Sequence, residues 1–234
     1  MRKVLEIGCG QGFYSNVLAR SKKRNVVGID ISFEDIQISK KRYPNVKFLQ
    51  MSAEKLKFKK NTFDEVYAIE VLEHVDDLQK VLDEIARVLK VGGKLIVSVP
   101  YYKSELWLKK IRPTYFKEIH HVRVFKEAEL ERYMKKRGFF LYMKSRKGFL
   151  QHIELYILFK RNVKSKTQLS IGSWRDNYFT KLVHITALYF DRAVLQTPLF
   201  YIPFWIVTLP IGEMVNFVGN KSFPKSSYYE FIKK

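Results

Sequence analysis

The 234 residues leave room for one α/β domain of about 160 residues followed by a tail of about 70. A single cysteine, Cys9, excludes an internal disulfide and a cysteine-rich zinc site, and no signal peptide precedes the first apolar run, which fits the cytoplasm. The net charge of +20 is uneven, +5 over residues 1–100 and +15 over residues 101–234. The second half should attract anionic partners such as nucleic acid, acidic phospholipid or a phosphorylated small molecule, although lysine used only for solubility and surface ion pairs gives the same count.

The first predicted strand, Val4 to Ile7, runs into Gly8-Cys9-Gly10-Gln11-Gly12 and then a helical stretch from Phe13 to Ala19. Glycines let the backbone turn with positive φ and approach a ligand closely, and a following helix start offers amide donors. The spacing is G-x-G-x-G, unlike the dinucleotide G-x-G-x-x-G. Glu6, at the strand end, would repel phosphate and suits a cationic or amine-bearing ligand.

A second buried strand, Asn25 to Asp30, ends in a carboxylate about 20 residues past the glycines, where an acid can accept hydrogen bonds from both ribose hydroxyls of an adenosine. Strands are predicted next at Val46–Met51 and Phe63–Ile69. From Leu89 to Pro100 a helix end, a Gly-Gly turn and a fifth strand follow. Strands alternating with helical patterns imply a parallel, doubly wound α/β sheet. Tyr101 to Val124 is an insertion rich in Tyr, Trp and Lys, and a helix follows from about Lys126 to Lys136, ended by Arg137-Gly138. Phe139–Ser145 and Ile153–Lys160 read as two β segments around Lys147-Gly148.

Five segments in this order, Glu6 to Gly12, Val27 to Asp30, Ser52-Ala53-Glu54, Phe63 to His74 and Leu89 to Val99, resemble the class I S-adenosylmethionine-dependent methyltransferases, in the methyltransferase type 11 or ubiquinone-biosynthesis-like group. The resemblance implies a seven-stranded, Rossmann-like sheet closed by an antiparallel hairpin, here Phe139–Ser145 with Ile153–Lys160. It implies S-adenosylmethionine as cofactor. Gly8, Gly10 and Gly12 would pass under its methionine part, Glu6 would lie near its ammonium, Asp30 would hold the ribose and Ile31 would pack on the adenine. Cys9 and Ile69 complete the cofactor side. Many relatives carry an acid where Ser52 stands, so the adenine-amine contact stays open between Ser52, Ala53 and Glu54. On this basis residues 1–162 form the methyltransferase domain, with 101–124 as a covering insertion, and 163–234 form a C-terminal apolar and aromatic extension. The helix that usually precedes the first strand in this family is missing, so another element replaces it or the true start lies upstream.

Glu70-Val71-Leu72-Glu73-His74 is the constellation that could carry chemistry. If it begins a helix, Glu70, Glu73 and His74 share a face, and with His120 they would hold Mg²⁺. Similar E-x-x-E-H runs serve as metal ligands in the O-methyltransferases of ubiquinone biosynthesis and in enzymes that methylate the terminal ribose of small RNAs. The same run occurs in relatives with no known metal. Without one, His74 or His121 could act as general base toward a hydroxyl.

Past a basic linker, Lys160 to Gln168, the run Ala193 to Gly212 contains no charge. Its 20 residues match a membrane span in length, but Pro198, Pro203 and Pro210 interrupt it and Gln196 dilutes it. A broken segment in the membrane interface, with Trp205 at headgroup level, and an apolar face buried in protein or in a homodimer are both open.

The resulting expectation is a cytoplasmic O-methyltransferase, peripheral to an anionic membrane surface, acting on a small-molecule, lipid or lipid-linked sugar acceptor. An RNA ribose methyltransferase is the alternative, disfavoured by the lack of an N-P-P-Y-type motif after the fourth strand and of an appended RNA-binding module. A non-catalytic cofactor-binding partner subunit is a further one.

Overall fold

A computed structural model describes residues 1–147 and 224–234. Parallel strands form where a β-branched, apolar run can be covered on both faces. β1 (Arg2–Ile7), β2 (Arg24–Asp30), β4 (Phe63–Ile69) and β5 (Leu89–Pro100) are such runs, and β1 buries its last four residues, whereas β3 (Lys47–Gln50), at the sheet edge, has no β-branched residue and fully buries only Phe48. All the β1–β2, β1–β4, β2–β3 and β4–β5 pairings are parallel.

Helices between the strands are set by local chemistry. α1 spans Phe13–Ala19. α2 (Phe33–Arg42) is capped by Ser32, whose side chain accepts from the Asp35 amide; acids fill its first turn and Lys40, Lys41 and Arg42 its last, matching the helix dipole. α3 (Leu78–Val88) buries Leu78, Val81, Leu82, Ile85 and Val88, one stripe at helical spacing, and Asp77 caps it by accepting from the Lys80 amide. The core lies on both faces of the sheet. Leu5, Ile7, Val66, Leu82 and Ile85 pack on one side, and Val4, Cys9, Leu18, Ile36 and Phe48 in a second cluster.

After β5 come α4 (Tyr102–Ile111) and α5 (Tyr115–Glu118), so the insertion at 101–124 is largely helical. Lys103–His120 belongs to a second compact unit, distinct from the one built of Met1–Tyr102, His121–Ser145 and Ser227–Lys234. Within that second unit the Tyr115 hydroxyl donates to the buried Glu105 at 2.9 Å, and Arg112 pairs with Glu118 at 2.8 Å. α6 (Glu129–Lys135) leads to Gly138 and then β6 (Phe139–Lys147).

The sheet has seven strands in the order β3-β2-β1-β4-β5-β7-β6, where β7 is Ser226–Lys233. This corrects the expected hairpin. The neighbour of Phe139–Ser145 comes from the chain's last residues, and Ile153–Lys160 lies outside the described residues. The final residues are therefore part of the domain rather than the end of an appended extension. The Lys234 amide donates to Gly138 O, and Lys233 Nζ donates to Ala86 O and Leu89 O at 2.6 and 2.7 Å. The end of β7 thus meets the starts of β5 and β6, and it runs antiparallel to both. Tyr229 and Phe231 supply its buried face.

Because Phe231 is only 1% exposed, Phe231→Ala should cost about 3–5 kcal/mol in urea denaturation, the usual penalty for emptying an aromatic core site. An unchanged midpoint would mean that β7 does not belong to the sheet.

Candidate functional site

In an open parallel sheet the ligand crevice lies past the strand carboxyl ends, where chain connections diverge to either side. Here that place is between β1 and β4, since the chain runs outward from β1 to β2 and β3 and then returns to β4. Gly8–Gly12 follows β1 and Glu70–Asp77 follows β4, so the two suspected loops flank one crevice.

Gly8 stands at φ 69, and a Cβ there would be 2.3 Å from Val71 Cγ2. A side chain would be strained by the backbone and blocked by the neighbouring turn, so the glycine loop and the β4 turn touch here. Gly10, at φ 47, would meet nothing within 4 Å, so the outer side of the loop is open. The loop is held from β2: Cys9 N donates to Ile29 O at 2.9 Å, and the Asp30 carboxylate accepts from Gly10 N at 2.8 Å and Ser32 N at 2.9 Å. Gly12 N closes the turn on Cys9 O.

Glu6 is buried beneath this loop and accepts from the Ser15 hydroxyl of α1. Burial pushes its carboxyl up to about 7, against the Ser15 hydrogen bond and helped by the negative charge of Asp30. The Cys9 thiol is pushed well above its usual range by burial first and then by Glu6 and Asp30, which leaves it neutral and unsuited to nucleophilic attack. Ile31, beside Asp30, is 73% exposed and offers an apolar platform.

The remaining predicted cofactor residues divide by their contacts. Ser52 Oγ accepts from Glu54 N at 3.2 Å, a local turn, while Glu54 Oε1 accepts from Asp77 N at 3.0 Å and braces the start of α3. Ala53 packs against the core, and Ile69 against the second cluster.

The run Glu70–His74 is not helical. Glu70 takes a left-handed φ of 54, the His74 amide turns back onto Val71 O, and α3 begins only at Leu78. A helical face for Glu70, Glu73 and His74 therefore does not form. The Glu70 carboxylate accepts from Ser98 Oγ at 2.7 Å and its amide donates to Ser98 O, which ties the end of β4 to β5. The cluster that does form is Glu73, His74 and His121, with donor atoms within 4.8 Å of one another. Glu73 is buried, His74 Nε2 lies 3.9 Å from its Oε1, and the two imidazole rings meet edge to face at 4.8 Å. His121 thus replaces Glu70 and His120 in the expected set; His120 falls in the second unit.

Two long-range contacts make this arrangement. Val122 N donates to Glu73 O at 3.0 Å, and Arg123 donates to Leu72 O and Asp76 O at 2.8 and 2.9 Å. The sequence pointed to His121, but not to the clamping of the turn by Val122 and Arg123. Asp77, Ser15 and Val71 escaped it, because each acts through residues distant in the chain.

A family model described as a methyltransferase domain matches residues 5–97, from within β1 to late β5. Over those residues the chain is similar to the methyltransferase-domain family. The chain is 33% identical over 117 residues to the demethylmenaquinone methyltransferase of Chlorobaculum tepidum, a match covering 50% of this chain and 48% of that protein. It is 32% identical over 115 residues to the ubiquinone biosynthesis O-methyltransferase of Erwinia tasmaniensis, 47% of each chain. The chain thus spans about half the length of the curated relatives it matches. The solved YcgJ protein from Bacillus subtilis shares its fold, with a TM-score of 0.57 at 20% identity, covering 100% of this chain and 92% of that one.

Gly8→Ala should lower stability by at least about 1–3 kcal/mol from the positive φ alone, and more through the clash with Val71. Adding Val71→Ala should recover part of that loss in urea denaturation, because the methyl group gains space. Strictly additive losses would show that the loop and the β4 turn do not touch.

Proposed function

We propose that this chain transfers the methyl group of S-adenosylmethionine to a hydroxyl of a small, lipid-like acceptor. The observation that carries the proposal is the contact of Gly8 with Val71, which sets the glycine loop against the turn bearing Glu73 and His74. Cofactor loop and proton-accepting groups then share one crevice.

The residues present fit the cofactor. Gly10 leaves its outer side open, and each Asp30 oxygen, although it already holds an amide, keeps a lone pair for a ribose hydroxyl. Ile31 supplies an exposed apolar surface for the adenine. When bound, the cofactor supplies a sulfonium that is already a good leaving group, so the protein's work is alignment, exclusion of water and removal of a proton. His74 and His121 are the groups for that last task, each able to take the acceptor's proton at a ring nitrogen.

One carboxylate and two imidazoles could also hold a divalent ion, which would lower the pKa of the acceptor hydroxyl. This donor set suits manganese or zinc better than magnesium, because imidazole is a softer ligand than the all-oxygen shell magnesium prefers. Glu73, His74 and His121 would be its ligands.

A lipid-like acceptor is supported by the names of the quinone-directed relatives and by the topology. β6 and β7 are antiparallel neighbours, so the chain leaves the sheet near Ser145 and returns near Ser227 at the same end of the strands, the end where β5 finishes. The uncharged run 193–212 lies in this interval, outside the described residues. Its lack of charge together with its three prolines supports contact with a membrane surface rather than a straight span. No described helix is long and apolar enough to cross a membrane.

Calorimetric titration with S-adenosylhomocysteine should give micromolar binding, weakened by about 1–3 kcal/mol in Asp30→Ala. Transfer to a quinol-type hydroxyl should be lost in Glu73→Gln and His121→Ala, and manganese dependence of that activity would support the metal. Absence of binding by the intact chain would sink the proposal. Co-sedimentation with anionic liposomes should fall sharply when Phe204 and Trp205 become Ser; an intact protein that stays in the supernatant rules out the membrane surface.

A further inference from the structure

Glu6 is sealed where β1, β2 and α1 meet, at 3% exposure. It pairs in register with Gly28 of β2. That glycine leaves a slot for α1, since a Cβ on it would stand 2.6 Å from Ser15 Oγ. Ser15 fills the slot, is itself fully buried, and donates its hydroxyl to Glu6. Among the described residues, Ser15 and Asp30 are the groups that act on Glu6, and neither is cationic. Asp30, at the end of β2, adds a second negative charge. The Cys9 thiol and the Tyr14 phenol are both raised by burial and then by the Glu6 charge, so both stay neutral. Arg24 acts on Tyr14, and Asp35 acts weakly on Cys9.

Resting on the assignment of Gly8–Gly12 as the cofactor loop, we infer that Glu6 is a specificity-determining residue: its ionised carboxylate favours the sulfonium-bearing donor over the neutral thioether product. S-adenosylmethionine and S-adenosylhomocysteine share adenosine, ammonium and carboxylate, and differ by one methyl group and one positive charge. A buried charge acts on that difference over several ångströms without touching it, because the intervening medium screens poorly. Asp30 attracts the same charge, and Glu6 changes state near neutral pH, its carboxyl lying at about 7.

The sign follows. Below that pH Glu6 is neutral in the free protein, and donor binding must expel its proton to solvent or forgo the attraction. Above it Glu6 is already ionised and the donor is favoured outright. After methyl transfer the sulfonium's share of the attraction is gone while the ammonium remains, so the proton affinity of Glu6 rises and it regains part of its proton from solvent; the proton lost by the acceptor hydroxyl is separate. The preference for donor over product therefore grows with pH.

Calorimetry of the intact chain at pH 6, 7 and 8, in two buffers of different protonation enthalpy, tests this. The ratio of product Kd to donor Kd should rise about three- to tenfold from pH 6 to 8, with proton release on donor binding at the lower pH values. Glu6→Gln should flatten the rise; the ligands' own ammonium groups titrate alike in both proteins, so the difference between them belongs to Glu6. Ser15→Ala removes a donor to the ionised carboxylate and should move the rise to higher pH, which a purely structural role would not do. A flat ratio in the wild-type protein, or a rise that neither variant alters, overturns the inference; should Glu6→Gln fail to fold, the Ser15→Ala shift decides alone. Binding of neither compound would instead overturn the cofactor assignment.

Discussion

One carboxylate, that of Asp30, holds the amides of Gly10 and Ser32 at once. It fixes the glycine loop to the end of β2 and, through Ser32, the start of α2, whose capping hydroxyl is on the same residue. Charge-assisted bonds to backbone amides are among the stronger neutral-pH contacts a surface loop can make. Without this clamp Gly10 would lose its tie to β2, leaving the loop to the bonds of Cys9 N to Ile29 O and of Arg42 to Gln11, and its open side would lose its defined direction. Everything proposed for the cofactor depends on that direction.

The second loop is positioned by contacts that local sequence does not encode. Glu70 breaks the run at a left-handed φ, Ser98 of β5 holds its carboxylate, Glu54 braces Asp77, and Arg123 clamps two carbonyls of the turn. The imidazole of His121 reaches Glu73 and His74 because Val122 is pinned to Glu73 O. A one-carboxylate, two-imidazole cluster is thereby formed from segments nearly fifty residues apart, with chemistry different from the two-carboxylate set the helical pattern implied. Its contact with the glycine loop, at Gly8 and Val71, is what turns two loops into one candidate site.

The sheet is completed by the chain's end. β7 lies between β5 and β6 and buries Phe231, while Lys233 satisfies the terminal carbonyls near the end of α3. Domain and tail are therefore not successive pieces, and the apolar run 193–212 is inserted between neighbouring strands. This placement puts both ends of the interval at the same end of two neighbouring strands, a constraint that composition could not supply.

The sequence by itself determined the five parallel strands, the glycine loop, the acid after β2 and the amphipathic α3, because each depends on local spacing: alternation or continuity of apolar residues, glycine where φ is positive, a cap before a helix. Gly8 and Asp30 were legible for that reason, and so was the likeness to a methyltransferase domain. Only the tertiary structure decided that Glu70 faces Ser98, that His121 rather than His120 joins Glu73 and His74, that Glu6 is sealed by Ser15 in the space Gly28 leaves, and that the seventh strand is Ser226–Lys233. Each of these rests on contacts between residues far apart in the chain, and such contacts leave no period in the sequence because the energy that selects them comes from burial and hydrogen bonding across the assembled sheet.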